Sequence, residues 1–402
     1  MSRLGGPLVA GGLELNRRLT RAAANSVDWL FKRDTLIKSG RTWFELVYDS
    51  DLMAVRYYEL PEEDEIELPD GGTRPIRRRQ HAVPLVLVPP LGVTTEVFDL
   101  MPRRSLVKYL VAAGFKVYVV DWGRPTREHG HLGLRDYSRD MLGTALESVR
   151  SHSGSADLSL MGWCMGGLFC LLYQGQTLDP RVRNLVTVAS PIDLESGSGV
   201  IAGVVGASQA LDGPARLVSR YSNLFLDMLD PALLSWPPWF TTLVFKMTNP
   251  LSSIASYWDL MTQLYDREFV ESHSTTADYI NNMLLYPGGV LRDMAANVVG
   301  DNQLSSGRLT FGDTTAEMDR IRCNYLGFAG DNDRLVPVAV AERIIDVLSS
   351  ADKEFRTAPG GHMGVIIGSR ACDAVWVQTA AWLSKRSSRR PPARAGADKR
   401  RR

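Results

Sequence analysis

The sequence is poor in cysteine and lacks any long apolar run, and both absences narrow what this chain of 402 residues can be. The most apolar stretch, Leu233 to Phe245, is short and contains Pro237 and Pro238, so it cannot span a bilayer. The N-terminus lacks an apolar core of signal-peptide length, and we expect no export. The four cysteines show neither a CxxC pair nor zinc-like spacing; they are Cys164, Cys170, Cys323 and Cys372. We therefore expect no disulfide framework, no metal site and a reducing, cytoplasmic environment.

Neither sign of charge predominates, because 46 Lys and Arg nearly balance 45 Asp and Glu and leave a net charge of +1. The basic residues are nevertheless unevenly spread along the chain. Residues 385–402 hold nine Lys or Arg and one acid, which leaves about −7 on the remainder. This basic tail has no apolar periodicity, so we expect it to be disordered. It would act as a solubilising end or, alternatively, bind an anionic surface. No nucleic-acid partner is expected.

Buried apolar runs alternate with helical patterns from Pro84 onward. Runs that are apolar on both faces are typical of parallel strands covered by helices on each side. The alternation therefore predicts an α/β fold with a doubly wound, mostly parallel sheet, preceded by a hairpin-like pair of strands over Trp43–Tyr48 and Ala54–Leu60. The strands of the main series are expected at Pro84–Val88, Lys116–Asp121, Leu158–Gly162, Asn184–Ser190, Cys323–Gly330 and Glu354–Ala358, with helices at Leu106–Ala113, Gly166–Gln174, Val338–Leu348 and Ala371–Leu383.

The alternation lapses between about Glu195 and Arg320, where aromatic residues, Met and Pro accumulate. An insertion of this size inside a sheet order is typical of a cap over the carboxyl edge of the strands, and a separately folding domain is the alternative. We therefore divide the chain into an N-terminal helical segment (1–42), a first part of the core (43–194), a cap (195–320), a second part of the core (321–384) and the basic tail (385–402).

The motif GWCMGG, Gly162 to Gly167, falls between a buried strand and a helix. That context is typical of a nucleophile elbow, a strained turn that lifts the nucleophile clear of the sheet. Gly162 and Gly166 fit it because the turn leaves no room for side chains. Cys164 would lie at the helix N-terminus, where the dipole and free N–H groups favour a thiolate. We expect Cys164 to be the nucleophile and Cys170, inside the helix, to lie in the core.

An acid and a histidine complete a triad in this predicted fold. Asp333 follows the apolar strand that ends at Gly330, and His362 lies in a Gly-rich loop after the last strand. Nucleophile, acid and histidine come in the chain order of the α/β-hydrolase fold. Asp333 is preferred to Asp331 because it lies deeper in its loop. The predicted triad is therefore Cys164, Asp333 and His362, on an α/β-hydrolase fold with an inserted cap.

Backbone N–H groups beside the elbow are expected to form an oxyanion hole. One donor is Met165, directly after the nucleophile, and the other is Leu91 or Gly92, because the two prolines before them have no N–H. The pair His129 and His131 lacks a third ligand, so it is expected in a solvated loop rather than at a metal.

Several stretches, in order over roughly Leu85 to Leu383, resemble the polyhydroxyalkanoate synthases, especially the short class III and IV catalytic subunits. The matching pieces are FDLMPRRSLVKYL, VYVVDWGRP, LRDY, GWCMGG, VRNLVTVASPIDL, GDNQLSSGRL, AGDNDRLVP and GGHMGVIIGSRA. The resemblance implies transfer of 3-hydroxyacyl groups from coenzyme A to a growing polyester, with Cys164 acylated, His362 as base and Asp333 assisting the incoming hydroxyl. Arg334 stands where the family usually has histidine.

The same resemblance implies the surroundings of the chain. Its substrate would be (R)-3-hydroxyacyl-CoA, with no cofactor beyond that thioester. It would work at the surface of polyester granules in the cytoplasm, either with a partner subunit or as a homodimer.

Two other functions remain open from the residues. A cysteine hydrolase on the same fold, acting as a thioesterase or esterase, would release the acyl group to water. A non-catalytic granule-surface or scaffold protein is the third interpretation, and an intact triad disfavours it. A thiol suits acyl transfer because exchanging one thioester for another is nearly isoenergetic and keeps the acyl group activated. Four aromatic residues of the cap would shield Cys164 from water, or would simply form the core of the cap: Trp236, Trp239, Phe240 and Phe245.

Overall fold

The computed structural model describes residues 5–194, 196, 230–247, 250–295, 297, 302–311 and 313–387. Its centre is an eight-stranded sheet. The strands are Glu45–Asp49 (β1), Ala54–Tyr58 (β2), Leu85–Val88 (β3), Val117–Asp121 (β4), Leu158–Trp163 (β5), Val182–Val188 (β6), Asn324–Gly330 (β7) and Lys353–Ala358 (β8).

The strand order is β1-β2-β4-β3-β5-β6-β7-β8. Strand β2 is antiparallel to both of its neighbours, β1 and β4. Every pair from β4 to β8 is parallel. The doubly wound, mostly parallel sheet expected from the sequence is thereby confirmed.

Apolar cores lie on both faces of the sheet, which explains why the parallel strands are apolar without alternation. In β3, Val86 and Val88 belong to one core while Leu85 and Leu87 belong to the other. The first core is covered by Leu142–Ser153 (α3), Met165–Thr177 (α4), Val338–Glu342 (α10) and Ile344–Val347 (α11). The second core is covered by Leu106–Ala112 (α2), Gly364–Ile367 (α12) and Val377–Arg386 (α13).

Two helices are less regular in the structure than the sequence predicts. The helix expected over Val338–Leu348 is divided into α10 and α11, which meet at Arg343. The last one begins with a π-helical turn, Cys372–Trp376, and a similar turn over Asp136–Met141 leads into α3. Periodicity of apolar residues does not distinguish these turns from regular helix, because both bury the same side of the segment.

The N-terminal segment is one long helix, Gly5–Phe31 (α1), followed by a 3₁₀ turn over Arg33–Leu36. Both elements lie within the helical segment that the sequence predicted over residues 1–42. Within the described part of the chain, no helix is both long enough and apolar enough to cross a membrane.

Within the predicted cap, five helices are described: Pro231–Leu234 (α5), Pro238–Met247 (α6), Pro250–Thr262 (α7), Arg267–Asn281 (α8) and Gly288–Asp293 (α9). Residues 195, 197–229, 248–249, 296, 298–301 and 312 of this region lie outside the described residues. The hairpin that pairs Arg308–Phe311 with Thr314–Glu317 buries Leu309 and Ala316 in the same core as α4. The core therefore resumes before the predicted boundary at residue 320.

The described structure continues three residues into the predicted tail, which was expected to begin at residue 385. Helix α13 continues to Arg386, whose guanidinium group donates two hydrogen bonds of 2.8 Å to Asp352 and stacks 4.0 Å above Trp382. Ser387 is also buried. The rest of the tail, residues 388–402, lies outside the described residues, so its expected disorder stays a prediction.

Candidate active site

Cys164 lies at the turn between β5 and α4 with a positive φ of 53°. A Cβ atom on Gly166 would come within 2.1 Å of the carbonyl oxygen of Val88, and one on Gly162 within 2.3 Å of the amide nitrogen of Gly167. Both contacts are with backbone, which cannot move away cheaply. The turn therefore requires glycine at these positions, and it presents Cys164 half-buried at the carboxyl edge of the sheet.

Hydrogen bonds hold the backbone of Cys164 on both sides. Its amide donates to the carbonyl of Val188 on β6, at 2.8 Å. Its carbonyl accepts from Gly167 N at 3.0 Å and from the hydroxyl of Ser190 at 2.9 Å. Because Cys164 caps the N-terminus of α4, its sulfur lies where the helix dipole favours a thiolate.

Asp333 lies in the loop after β7 and contacts His362 directly. Its Oδ2 is 2.8 Å from Nδ1 of His362, and the two side chains are 0% and 5% exposed. Its Oδ1 accepts from the amides of Leu335 and Val336, each at 2.9 Å. Asp331 is exposed and instead accepts from the amide of Gly360 at 2.8 Å, so it fixes the loop that carries His362. Of the two acids, the structure brings Asp333 to the histidine.

The surroundings of His362 favour its charged form. Burial lowers the pKa of His362, but the negative charge of Cys164 and the hydrogen bond and charge of Asp333 outweigh it, raising the pKa from 6.5 to about 10. The second ring nitrogen, Nε2, is buried, and no described residue meets the geometry of a hydrogen bond to it. An imidazole held at Nδ1 and unengaged at Nε2 is suited to exchange a proton with Cys164 or with a bound hydroxyl.

The loop after β3 lies directly against the elbow. A Cβ atom on Gly166 would collide with backbone atoms of Val88 and Pro89, where β3 ends and the loop begins. The indole of Trp122 donates to the carbonyl of Pro89 at 2.8 Å and fixes this loop. Leu91, in the same loop, is 2% exposed.

The predicted donors of the oxyanion hole lie in this loop and at the start of α4. Gly92 follows Leu91 with a φ of 78°, and Met165 is the first residue of α4. These positions are compatible with amide donors at an oxyanion hole, and that role of Met165 and of Leu91 or Gly92 stays a prediction.

The cap contacts this loop through residues that the sequence reasoning did not single out. A Cβ atom on Gly92 would lie 3.1 Å from the methyl group of Thr241 and 3.2 Å from the ring of Tyr286. Tyr286 and Trp236 exchange two backbone hydrogen bonds of 3.0 Å. These partners are 50 residues apart in the chain, so no local pattern could have paired them.

The four aromatic residues expected to shield Cys164 differ in exposure, and the shielding role stays a prediction for the three that are half-buried. Trp236 packs against Phe240 with ring centroids 5.1 Å apart, and Phe245 packs against the second core. Trp239 is 67% exposed, so the expectation that it shields Cys164 is wrong. It lies on the outer side of the short helix α6, which a count of aromatic residues cannot distinguish from the inner side.

The other three cysteines and His129 fit structural roles. Cys170 is fully buried in α4, and burial raises the pKa of its thiol far above the ordinary value. Burial raises the pKa of Cys323 and Cys372 in the same way. His129 contacts the hydroxyl of Thr126 in a 3₁₀ turn, and the described residues contain no group of three side chains placed to hold a metal ion.

Comparison with known proteins identifies similar chains. The model of the family described as "alpha/beta hydrolase fold" matches residues 84–369. The poly(3-hydroxyalkanoate) polymerase subunit PhaC of Haloferax mediterranei is 25% identical over 386 residues, which cover 94% of this chain and 72% of that protein.

The corresponding subunit of Allochromatium vinosum is 26% identical over 350 residues, 87% of this chain and 90% of that protein. The subunit of a Synechocystis species is 25% identical over 318 residues, 78% of this chain and 80% of that protein. The resemblance to polyhydroxyalkanoate synthases is confirmed by these similarities.

Proposed function

This chain belongs to the α/β-hydrolase fold family, and we propose that it is an acyltransferase that polymerises (R)-3-hydroxyacyl groups from coenzyme A into a polyester. The observation that carries the proposal is a half-buried cysteine at the elbow, beside a buried Asp333–His362 pair. Its similarity along most of its length to poly(3-hydroxyalkanoate) polymerases supports the substrate class.

In the first step, the thiolate of Cys164 attacks the carbonyl carbon of the acyl-CoA thioester. The oxygen gains negative charge, which amides of the elbow and of the β3 loop would stabilise. The carbon–sulfur bond to coenzyme A then breaks, and the imidazolium of His362 gives its proton to the departing sulfur. One thioester replaces another, so the acyl group stays activated on Cys164.

In the second step, the 3-hydroxyl of another hydroxyacyl group attacks the thioester on Cys164. His362 takes the proton of that hydroxyl through Nε2, and the new ester bond displaces the sulfur of Cys164. Asp333 holds the imidazole at Nδ1 and stabilises its positive charge during the transfer. The reaction needs no cofactor beyond the coenzyme A thioester that serves as substrate.

The insoluble product suggests where the chain works. Each cycle would lengthen an apolar polyester, so we expect the enzyme at the surface of polyester granules. It would act there as a homodimer or with a partner subunit.

The products from purified protein and (R)-3-hydroxybutyryl-CoA test this function. We expect release of coenzyme A together with high-molecular-weight polyester, with and without a candidate partner subunit. Cys164→Ala should release no coenzyme A, because it lacks the nucleophile. Cys170→Ala is the matched control, since Cys170 is fully buried, and it should remain active. Stoichiometric free 3-hydroxybutyrate without polymer, also for longer acyl chains, would favour the hydrolase instead.

A further inference from the structure

Tyr286 is held against the loop proposed to contribute to the oxyanion hole. The amide of Leu284 donates to the carbonyl of Gly92 at 2.8 Å. Two residues further on, the ring of Tyr286 would lie 3.2 Å from a Cβ atom on Gly92. The paired backbone hydrogen bonds with Trp236 fix this segment at Tyr286. The ring therefore has a defined position next to the loop, set by backbone contacts on both sides.

A second tyrosine approaches the same region from the core. Tyr137 is completely buried and stacks on Phe169 of α4, with ring centroids 5.8 Å apart and an angle of 12° between the planes. Its ring also packs edge to face against Trp122, with ring centroids 5.4 Å apart, and the indole of Trp122 in turn donates to the carbonyl of Pro89. Tyr137 thus lies between the elbow helix and the β3 loop.

The hydroxyl of Tyr137 has an unmet hydrogen-bonding requirement. The oxygen is buried, and none of the described residues forms a hydrogen bond with it. Leaving a buried hydroxyl without a partner is unfavourable, and native proteins rarely do so without a reason such as a bound molecule. A ligand that brings its own hydroxyl group would satisfy this oxygen.

The two tyrosines and the nucleophile meet at the same core: Tyr137 lies within it, and Cys164 and Tyr286 pack against it. Desolvation raises the pKa of Tyr286, and the nearby thiol of Cys164 raises it further. Burial and the charge of Asp136 likewise raise the pKa of Tyr137. Both phenols therefore stay neutral at physiological pH and can donate a hydrogen bond.

We propose that the hydroxyl groups of Tyr137 and Tyr286 bind the 3-hydroxyl of the acyl group at Cys164 and select 3-hydroxyacyl over unsubstituted acyl thioesters. The inference rests on the proposed function for its choice of substrate. A site that hydrogen-bonds a substrate hydroxyl discriminates strongly against the analogue that lacks it, because the protein groups are then left unpaired. An apolar pocket of the same size could not make this distinction.

Equilibrium binding to a Cys164→Ala background tests the proposal without turnover. We expect (R)-3-hydroxybutyryl-CoA to bind about tenfold more tightly than butyryl-CoA, the range of one well-made buried hydrogen bond. Tyr137→Phe should bring the two affinities close together, and Tyr286→Phe should reduce the preference. Each variant removes one oxygen atom, and its unfolding midpoint shows whether the fold is retained.

Tyr279→Phe is the matched control. Its hydroxyl is also buried and has no hydrogen-bond partner among the described residues, but the charged group that acts on it is Glu96. It should keep the full preference for the hydroxyacyl thioester. Equal affinities in the parent, or a preference unchanged in both Tyr137→Phe and Tyr286→Phe, would overturn the proposal. Because binding is measured, a chain that hydrolyses rather than polymerises still gives a decisive answer.

Discussion

Cys164 adopts a backbone conformation that costs a non-glycine residue about 1–3 kcal/mol. With its φ of 53°, the conformation persists because the backbone is held by Val188 on one side and Ser190 on the other. The strain is located at the proposed nucleophile itself. It places the sulfur at the start of α4 and clear of the sheet, which is where acyl transfer requires it.

Asp333 should contribute more to the second step of the proposed reaction, attack by a hydroxyl, than to the first step, acylation of Cys164. Taking a proton from an alcohol is far harder than taking one from a thiol, whose ordinary pKa is about 8.5. The Asp333–His362 pair should therefore matter most when a hydroxyl attacks. We expect Asp333→Asn to form acyl-enzyme but to extend chains slowly, measured by rapid-quench acylation and by polymer yield.

Asp331→Asn is the control for this substitution, because Asp331 is exposed and its acceptor oxygen can be kept by asparagine. It should have little effect on either step. If acylation in Asp333→Asn fell as far as overall turnover, the acid would instead serve chiefly to orient His362.

The pKa of His362 reports directly on the charge of Cys164. Burial lowers this pKa, and the charge of Cys164 is the largest contribution in the opposite direction. Cys164→Ala removes that charge but leaves Asp333 in place. We expect the imidazole of the variant to lose its proton at a lower pH than the value of about 10 in the wild type, followed by the NMR shift of its ring protons. An unchanged titration would show that Cys164 carries no charge near the histidine.

The elements β3, β5 and α4 are packed so closely that adding one methyl group between them should push them apart. A Cβ atom on Gly166 would stand 2.1 Å from the backbone oxygen of Val88. We expect Gly166→Ala to destabilise the protein by about 3 kcal/mol, and to move the β3 loop away from the elbow. Chemical denaturation gives the free energy of unfolding, and coenzyme A release gives the activity.

Gly143→Ala provides the comparison, since a Cβ atom on Gly143 in α3 meets only the ring of Tyr173 in α4 at 3.6 Å, an ordinary van der Waals distance. That variant should be as stable as the wild type or more so, because alanine favours helix over glycine by about 1 kcal/mol. Equal stability of Gly166→Ala and Gly143→Ala would mean that the elbow tolerates side chains.

Local sequence patterns were sufficient to predict the sheet and the residues brought to its edge. Apolar runs located the strands, and the carboxyl ends of β5 and β7 carry Cys164 and the Asp333 loop. The same patterns did not reveal the cap contacts. Trp236 pairs with Tyr286 across 50 residues of chain, and such a pairing depends on tertiary packing. The hairpin at 308–317 was missed for a different reason: each of its strands has only four residues, too few for a clear alternation of apolar and polar positions.

The molecule as a whole brings three segments that are distant in the chain to one edge of the sheet. Cys164 comes from the first part of the core, while Asp333 and His362 come from the part that follows the cap. Parallel strands make this possible, because all their carboxyl ends point to the same side. The cap helices lie over that side, where Thr241 and Tyr286 contact Gly92. An acyl group on Cys164 would therefore lie on the side of the sheet that the cap contacts through Gly92.

The fate of one acyl group on Cys164 tests the central claim most directly. A sub-stoichiometric pulse of radiolabelled (R)-3-hydroxybutyryl-CoA should label the peptide that contains Cys164, and a chase of unlabelled substrate should carry that label into polyester of increasing length. Label that leaves Cys164 as free 3-hydroxybutyrate, at a rate independent of the chase, would contradict the account. So would label found on Cys170, Cys323 or Cys372 instead.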